Sequence, residues 1–400
     1  MKASSAPEST APAAAAAPAL VPCSMRELLL YFLRLGTFGF GGPIALAGYM
    51  QRDLVERRRW ISRQDYVEGL ALAQLAPGPL AAQLAIYLGW VRARVAGATL
   101  VSLAFISPSF LMVLAISAFY VKYGGLPWMQ GAFYGIGAAV IAIIARSAVK
   151  LVRLTLARDS LLWIVFAVSA AVTGYTEKEI LWIFLAGGVL VMLVRTPFRA
   201  GASAAMLAAL PHWVLGGLGE PAGAALVWKI FWFFAVAGAV VFGSGLAIVP
   251  FLHGGVVTEM RWLDERQFLD AVAVAMITPG PVVITVAFIG YLVAGLGGAI
   301  VSAVGVFLPC YLFVIIPAPY YRRWARVSQI KSFVDGVTAA ATGAIAGATW
   351  VLGRRAILDL PTVLIFLFTL LALWKLRKVP EPLVIVAAGV AGLVLRQAHG

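Results

Sequence analysis

Two apolar runs early in this chain contain the residues least compatible with a helix interior. Phe38-Gly39-Phe40-Gly41-Gly42-Pro43 interrupts the first, and Leu75-Ala76-Pro77-Gly78-Pro79 interrupts the next. Relative to Ala, Gly costs about 1 kcal/mol and Pro about 3 inside a helix. A bilayer has no water for the freed N–H and C=O groups, so such breaks persist only where protein or a water-filled cavity satisfies them. The pattern therefore points to a polar site at membrane depth. It also recurs in order, as Phe242-Gly243-Ser244-Gly245 and Ile277-Thr278-Pro279-Gly280-Pro281.

The recurrence is a duplication. A shift of 202 residues lays Phe32 on Phe234, Gly36 on Gly238, Arg59-Trp60 on Arg261-Trp262 and Pro77-Gly78-Pro79 on Pro279-Gly280-Pro281. After a one-residue slip, Pro108 falls on Pro309, Gly135 on Gly336 and Ala138-Ala139 on Ala339-Ala340. Apolar composition alone does not align a Trp, a PGP and two Phe-Gly pairs in one register. The expected organisation is a disordered, cytoplasmic tail over 1–25 without signal-peptide features, repeats over 26–196 and 228–397, and a linker over 197–227 whose apolar stretch 201–219 is a further crossing.

With 62% hydrophobic and 12% charged residues, against about 25% charged in a soluble domain, the chain reads as an all-α polytopic membrane protein. About 12–13 apolar segments approach the length of roughly 20 residues that a span requires. The net charge of +14 sits in short clusters between segments, as expected for membrane orientation by basic loops, and does not imply nucleic acid. Two cysteines and three scattered histidines give no disulfide framework or metal-ligand spacing, and no nucleotide-binding or hydrolase motif appears, so neither cofactor nor metal is expected. The sequence leaves the oligomeric state open, a homodimer included.

In the first half the basic clusters are Arg52 to Arg63, Arg92 and Arg94, Arg146 to Arg158, and Arg195 and Arg199. All lie on one side only if 26–50 and 66–91 each enter and leave by the same face, as re-entrant hairpins or deeply broken helices. In the second half the basic excess moves to 322–331 and 375–378, on the opposite side of the repeat, which predicts inverted topology; Arg354 and Arg355 do not fit that scheme. Inverted repeats with broken helices are a common architecture of secondary transporters.

Helix breaks expose N-terminal N–H groups that suit an anion. The candidate binding residues are Phe40, Gly41, Gly42 and Pro43, Pro77, Gly78, Pro79 and Gln83, with Gly243, Ser244, Gly245, Thr278, Pro279, Gly280 and Pro281 in the second copy. Arg34, within the first apolar segment, either forks an oxyanion or snorkels to the interface. Glu68 and Asp270 occupy matching positions nine residues before each PGP, as proton-coupling carboxylates or as partners of Arg63 and Arg266. Asp335 gains no role from the sequence.

Taken together, FGFGGP, Asp53-Leu54-Val55-Glu56-Arg57-Arg58-Arg59-Trp60-Ile61-Ser62, Leu75-Ala76-Pro77-Gly78-Pro79, Gln83-Leu84-Ala85 and Tyr87-Leu88-Gly89-Trp90 resemble the chromate ion transporter family, in its long, two-domain form. The resemblance spans 26–396, departing where Ser244-Gly245 replaces the Gly-Pro of the first copy. It implies an inner-membrane exporter of chromate, a tetrahedral dianion, energised by membrane potential or proton gradient and conferring resistance. A carrier for sulfate or other oxyanions, an anion channel and a lipid-modifying enzyme are the other readings. The last lacks any catalytic cluster in the sequence, whereas the residues alone reach only a small-anion transporter.

Overall fold

The computed structural model describes residues 20–40, 42–123, 127–156, 159–176, 181–196, 222–240, 248–320, 328–357, 359–375 and 381–399, and every regular element among them is helical. The expected crossing at 201–219 lies outside them, as do Gly41, Gly243, Ser244 and Gly245.

The first helix, α1 (Met25–Phe38), opens on a reciprocal cap. Ser24 Oγ accepts the Glu27 N–H at 3.2 Å, and the Glu27 carboxylate accepts the Ser24 N–H at 2.8 Å. Two first-turn donors are thereby satisfied. The helix stops at Gly39; α2 (Gly42–Met50) follows and runs into a π-helical turn over Gln51–Arg57. The chain has by then returned to its start: Val21 N–H donates to the Arg59 carbonyl at 2.9 Å, and the Arg58 guanidinium lies 5.7 Å from the Tyr31 ring centre. So α1 and α2 are arms of a hairpin with the FGFGGP stretch at its tip.

A second hairpin pairs α3 (Arg63–Leu75) with the opening of α4 (Leu80–Tyr123). Glu68 and Tyr87 meet at 3.4 Å, although a straight helix would separate them by about 28 Å. Pro77-Gly78-Pro79 is the tip. Next, α4 reverses at Ala93 (φ −147°, ψ 36°) and Arg94 (φ 51°, ψ −138°), so residues 80–92 and 95–123 are separate arms. Gly89 and Gly97 close this turn, since a Cβ on either would come within 2.5 Å of the other's carbonyl oxygen. Three long or medium helices complete the copy: α5 (Pro127–Thr155), α6 (Ser160–Thr176) and α7 (Leu181–Arg195).

The second copy repeats each step. α8 (Ala222–Val240) is followed by α9 (Ile248–His253) with a π-helical turn over Gly254–Glu259, then α10 (Glu265–Ile277), whose N-cap Asp264 forms a capping box with Gln267. α11 (Thr285–Ile315) reverses at Ala294 and Gly295, and Ser302 Oγ donates to the Val286 carbonyl at 2.8 Å across the turn. α12 (Ser328–Ala356), α13 (Leu360–Lys375) and α14 (Glu381–His399) finish the chain.

The copies interlock. Within each, the first helix presses its glycine on the long arm: a Cβ on Gly36 would lie 2.2 Å from the Phe105 carbonyl oxygen, and one on Gly238 2.2 Å from that of Val306. Between them, α4 packs on α11, with the Thr99 and Tyr311 hydroxyls 2.6 Å apart. The later helices are exchanged: α12 packs on α6 and α7, and α5 on α13 and α14. Gly135 sits where a Cβ would be 2.0 Å from the Ala388 oxygen, and Gly336 at 2.4 Å from that of Gly187. Asp335, unassigned by sequence, has a structural part here. It accepts from Arg195 at 2.7 Å, Arg195 also holds Asp159, and Tyr134 holds Asp359 at the other junction.

The outer faces carry large apolar side chains, among them Leu103, Leu111, Phe368 and Trp374. Among the described residues, five helical stretches are long and apolar enough to cross a membrane: Gln130–Arg153, Gly223–Val240, Ser328–Ala356, and, each with a reversal inside it, Leu80–Tyr123 and Val282–Tyr320. The protein is a multi-pass helical membrane protein.

Two glycines of one turn test this packing. Gly295 (φ +60°) has open space around its Cβ position, whereas a Cβ on Gly290 would meet the Gly298 oxygen at 2.3 Å. Gly295→Ala is expected to cost about 1–3 kcal/mol of positive-φ strain, a conformation that Arg94 already adopts in the first copy. Gly290→Ala must part the arms and is expected to lower the thermal unfolding temperature in detergent distinctly more.

Candidate functional site

Each PGP tip is packed against the other copy. Gly280 (φ +99°) lies in the left-handed region, its N–H donates to the Gly39 carbonyl at 3.0 Å, and its Cβ position is 2.9 Å from Ser109. The mirror arrangement presses Gly78 (φ +132°) against Cys310, with the thiol 2.8 Å from the Cβ position. Ser109 and Cys310 are equivalents, each following the proline within its long arm. A side chain at either glycine would collide with the opposing helix as well as adopt a strained φ. Thus the first tip of copy one and the second tip of copy two are bonded to each other, and the site is shared by both copies.

Why the backbone breaks here is visible in its bonds. α3 ends as Ala76 N–H donates to the Leu72 carbonyl, and the next arm starts as Gln83 N–H donates to the Pro79 carbonyl. Leu80, Ala81 and Ala82 between them are 8%, 2% and 1% exposed. Their N–H groups belong to the first helical turn, which has no intrahelical acceptor, and no other acceptor faces them among the described residues. Gln83 is fully buried and its Nε2 donates to the Pro77 carbonyl at 2.5 Å. In copy two, Thr278 Oγ1 donates to the Val274 carbonyl at 2.7 Å and caps the arm that ends there. Buried amide donors at a helix start are chemically suited to an oxyanion.

The predicted residues divide on inspection. Gly78, Pro79, Gln83, Thr278, Gly280 and Pro281 are buried at the tips, and Pro77 borders them; Pro279 is buried beside Gly280. Phe40, Gly42 and Pro43 are half-buried around the first break, where Gly42 has φ +74°. Arg34 does not join them. It stands with Leu30 and Leu33 on the exposed face of α1, while Phe32 and Gly36 face α4, which matches the snorkelling alternative.

The two carboxylates are unequal. Glu68 is half-buried and accepts from Gln64 at 3.0 Å and Tyr87 at 3.4 Å within its own copy. Asp270 is 3% exposed and accepts from Tyr120 of the other copy at 2.7 Å. The alternative pairing of Asp270 with Arg266 is not formed among the described residues; the carboxylate is held instead by Tyr120, whose ring lies 5.2 Å from that of Phe288. Sequence reading missed Tyr120, Ser109 and Cys310 as tip or carboxylate partners. The matching Pro108 and Pro309 were the available signal for the last two.

Fold and site together define a multi-pass helical membrane protein made of two interlocked copies of one broken-hairpin unit. The profile of the chromate transporter family matches residues 26–192 and 228–393, and the chain belongs to that family. It is 60% identical to the chromate transport protein of Cupriavidus metallidurans over 93% of both chains. It is 56% identical to a protein of Synechococcus elongatus named "Probable chromate transport protein", over 93% of this chain and 95% of that one. With the chromate transport protein of Pseudomonas aeruginosa the identity is 34%, over 93% and 92% of the two chains. No solved structure matches the chain.

Close packing at the tips predicts a measurable protection. Cys310 is 0% exposed beneath Gly78. In a Cys23→Ser background, Cys310 is expected to resist maleimide in membranes. Gly78→Ala should raise its labelling rate about tenfold or more, since roughly 1–3 kcal/mol of added strain opens the tip; unchanged labelling would contradict the contact.

Proposed function

We propose that the chain is a secondary transporter that exports chromate across the bacterial inner membrane, driven by the membrane potential or a proton gradient, and so confers chromate resistance. The observation that carries this reading is the meeting of the two copies' tips, Gly280 N–H on the Gly39 carbonyl, beside buried amides with no acceptor of their own. The names of the relatives supply the substrate. Tetrahedral oxyanions are the natural ligands of such donors, and an inside-negative potential favours their expulsion by about 2.3 kcal/mol per 100 mV for each negative charge carried.

Inverted topology of the two copies belongs to the same proposal. One contact supports it: Thr99, near the start of the long arm of copy one, meets Tyr311, near the end of the equivalent arm of copy two. Equivalent long arms then run in opposite directions through the bilayer. Arg355, out of place in the basic-loop pattern, is neutralised by Glu265 on this reading. The N-terminus is cytoplasmic in this arrangement, and alternating access proceeds by rocking of one interlocked copy against the other. Of the two carboxylates, Asp270 is the one we assign to proton coupling, because a buried acid bridging two moving bodies is sensitive to both protonation and motion.

Radiolabelled chromate uptake into everted vesicles tests the reading. Uptake should saturate, rise with an inside-positive potential and resist excess sulfate. Strong sulfate competition would make the protein a general oxyanion transporter, non-saturable conductance would make it a channel, and no uptake by folded protein would overturn the proposal. Asp270→Asn is expected to abolish the response to a proton gradient while potential-driven uptake persists.

A further inference from the structure

The first copy's tip contains an acceptor that no described residue fills. Gln83 is 0% exposed, its Nε2 is committed to the Pro77 carbonyl, and its Oε1 has no partner among the described residues. The amide orientation is forced: reversing it would set two oxygens, Oε1 and the Pro77 carbonyl, against each other at hydrogen-bond distance. Buried polar atoms are ordinarily paired, and an exception calls for a reason. Helical side chains lean toward the N-terminus of their helix, and the bond to Pro77 shows that Gln83 does. Its amide therefore lies over the first turn, the turn that carries the buried N–H groups of Leu80, Ala81 and Ala82.

The tip thus offers several donors and one acceptor. Donors alone accept any oxyanion oxygen; the acceptor demands an O–H. We propose that Gln83 Oε1 receives the hydroxyl of a singly protonated tetrahedral oxyanion, and that this bond separates hydrogenchromate from sulfate. The proposal rests on reading the tips as the oxyanion site. Chromate keeps one proton over part of the neutral range, whereas sulfate is fully ionised there. A sulfate oxygen at this position would face the Gln83 oxygen lone pair to lone pair. A site built to hydrogen-bond a substrate hydroxyl rejects an analogue without one far more strongly than an apolar pocket can. The second copy lacks the device. Thr285, at the matching position, donates its hydroxyl to the Val282 carbonyl at 2.8 Å and leaves no orphaned atom. Selectivity accordingly resides in the first copy.

The test is direct binding of radiolabelled chromate to the purified full chain, with sulfate, phosphate and arsenate as competitors, for wild type and Gln83→Met. Phosphate and arsenate retain a proton at neutral pH and should compete at least about tenfold better than sulfate. Gln83→Met, nearly isosteric and without the acceptor, should lose about tenfold or more in chromate affinity, with the preference over sulfate falling toward unity. Wild-type binding of sulfate as tight as that of the protonated anions overturns the inference without recourse to any variant. So does a folded Gln83→Met, its Cys310 still protected, that keeps both affinity and preference. If wild type ignores chromate but binds arsenate or phosphate through Gln83, the chromate reading falls and the acceptor assignment stands.

Discussion

Everything in this molecule depends on one constraint, that a backbone broken inside an apolar solvent must be satisfied by protein. Two broken hairpins per copy create many candidate orphans. The structure resolves them by exchange: the Gly280 N–H of one copy is satisfied by the Gly39 carbonyl of the other. The Gly280 tip is thus completed by the other copy, and the Gly78 tip is packed against it at Cys310. The positive φ values of Gly78 and Gly280, and their contacts with Cys310 and Ser109, follow from the same need to bring bare backbone against a neighbouring helix.

Close approach also sets the larger architecture. Without a hydrophobic drive between helices in lipid, association relies on packing and on the polar bonds that small residues permit. Gly36 and Gly238 seat the first helix of each copy on its long arm, and Gly135 and Gly336 seat the exchanged helices. Polar locks accompany these contacts among the described residues. They are ionic at Arg195–Asp335 and hydroxyl-to-carboxylate at Tyr134–Asp359, so the backbone symmetry is kept while the chemistry differs. The same divergence appears in Glu68 against Asp270 and in Gln83 against Thr285. A duplicated scaffold has been given unequal sites.

Much of the fold is legible in the chain. The Gly and Pro residues of the tips and the duplication itself follow from where apolar runs are broken, whereas the same breaks leave open whether 26–50 and 66–91 span or re-enter. The reversals at Ala93-Arg94 and Ala294-Gly295 are not legible, because Arg94 takes a left-handed φ that its residue type does not announce. Arg34 shows a different limit: the sequence leaves its two roles open, and helical phase sets it on the exposed face of α1 with Leu30 and Leu33. Asp335 and Cys310 had no readable role because their partners, Arg195 and Gly78, are far away in sequence.

By itself the sequence determined the solvent, the number of copies and the four places where the backbone must break, because hydropathy, periodicity and helix-breaking chemistry are local properties. Only the tertiary structure decided which tip meets which, that the later helices are exchanged, and that Asp270 rather than Glu68 is sealed between copies. Those outcomes depend on van der Waals fit and hydrogen-bond geometry between segments about 150–250 residues apart, and no single stretch of sequence encodes them.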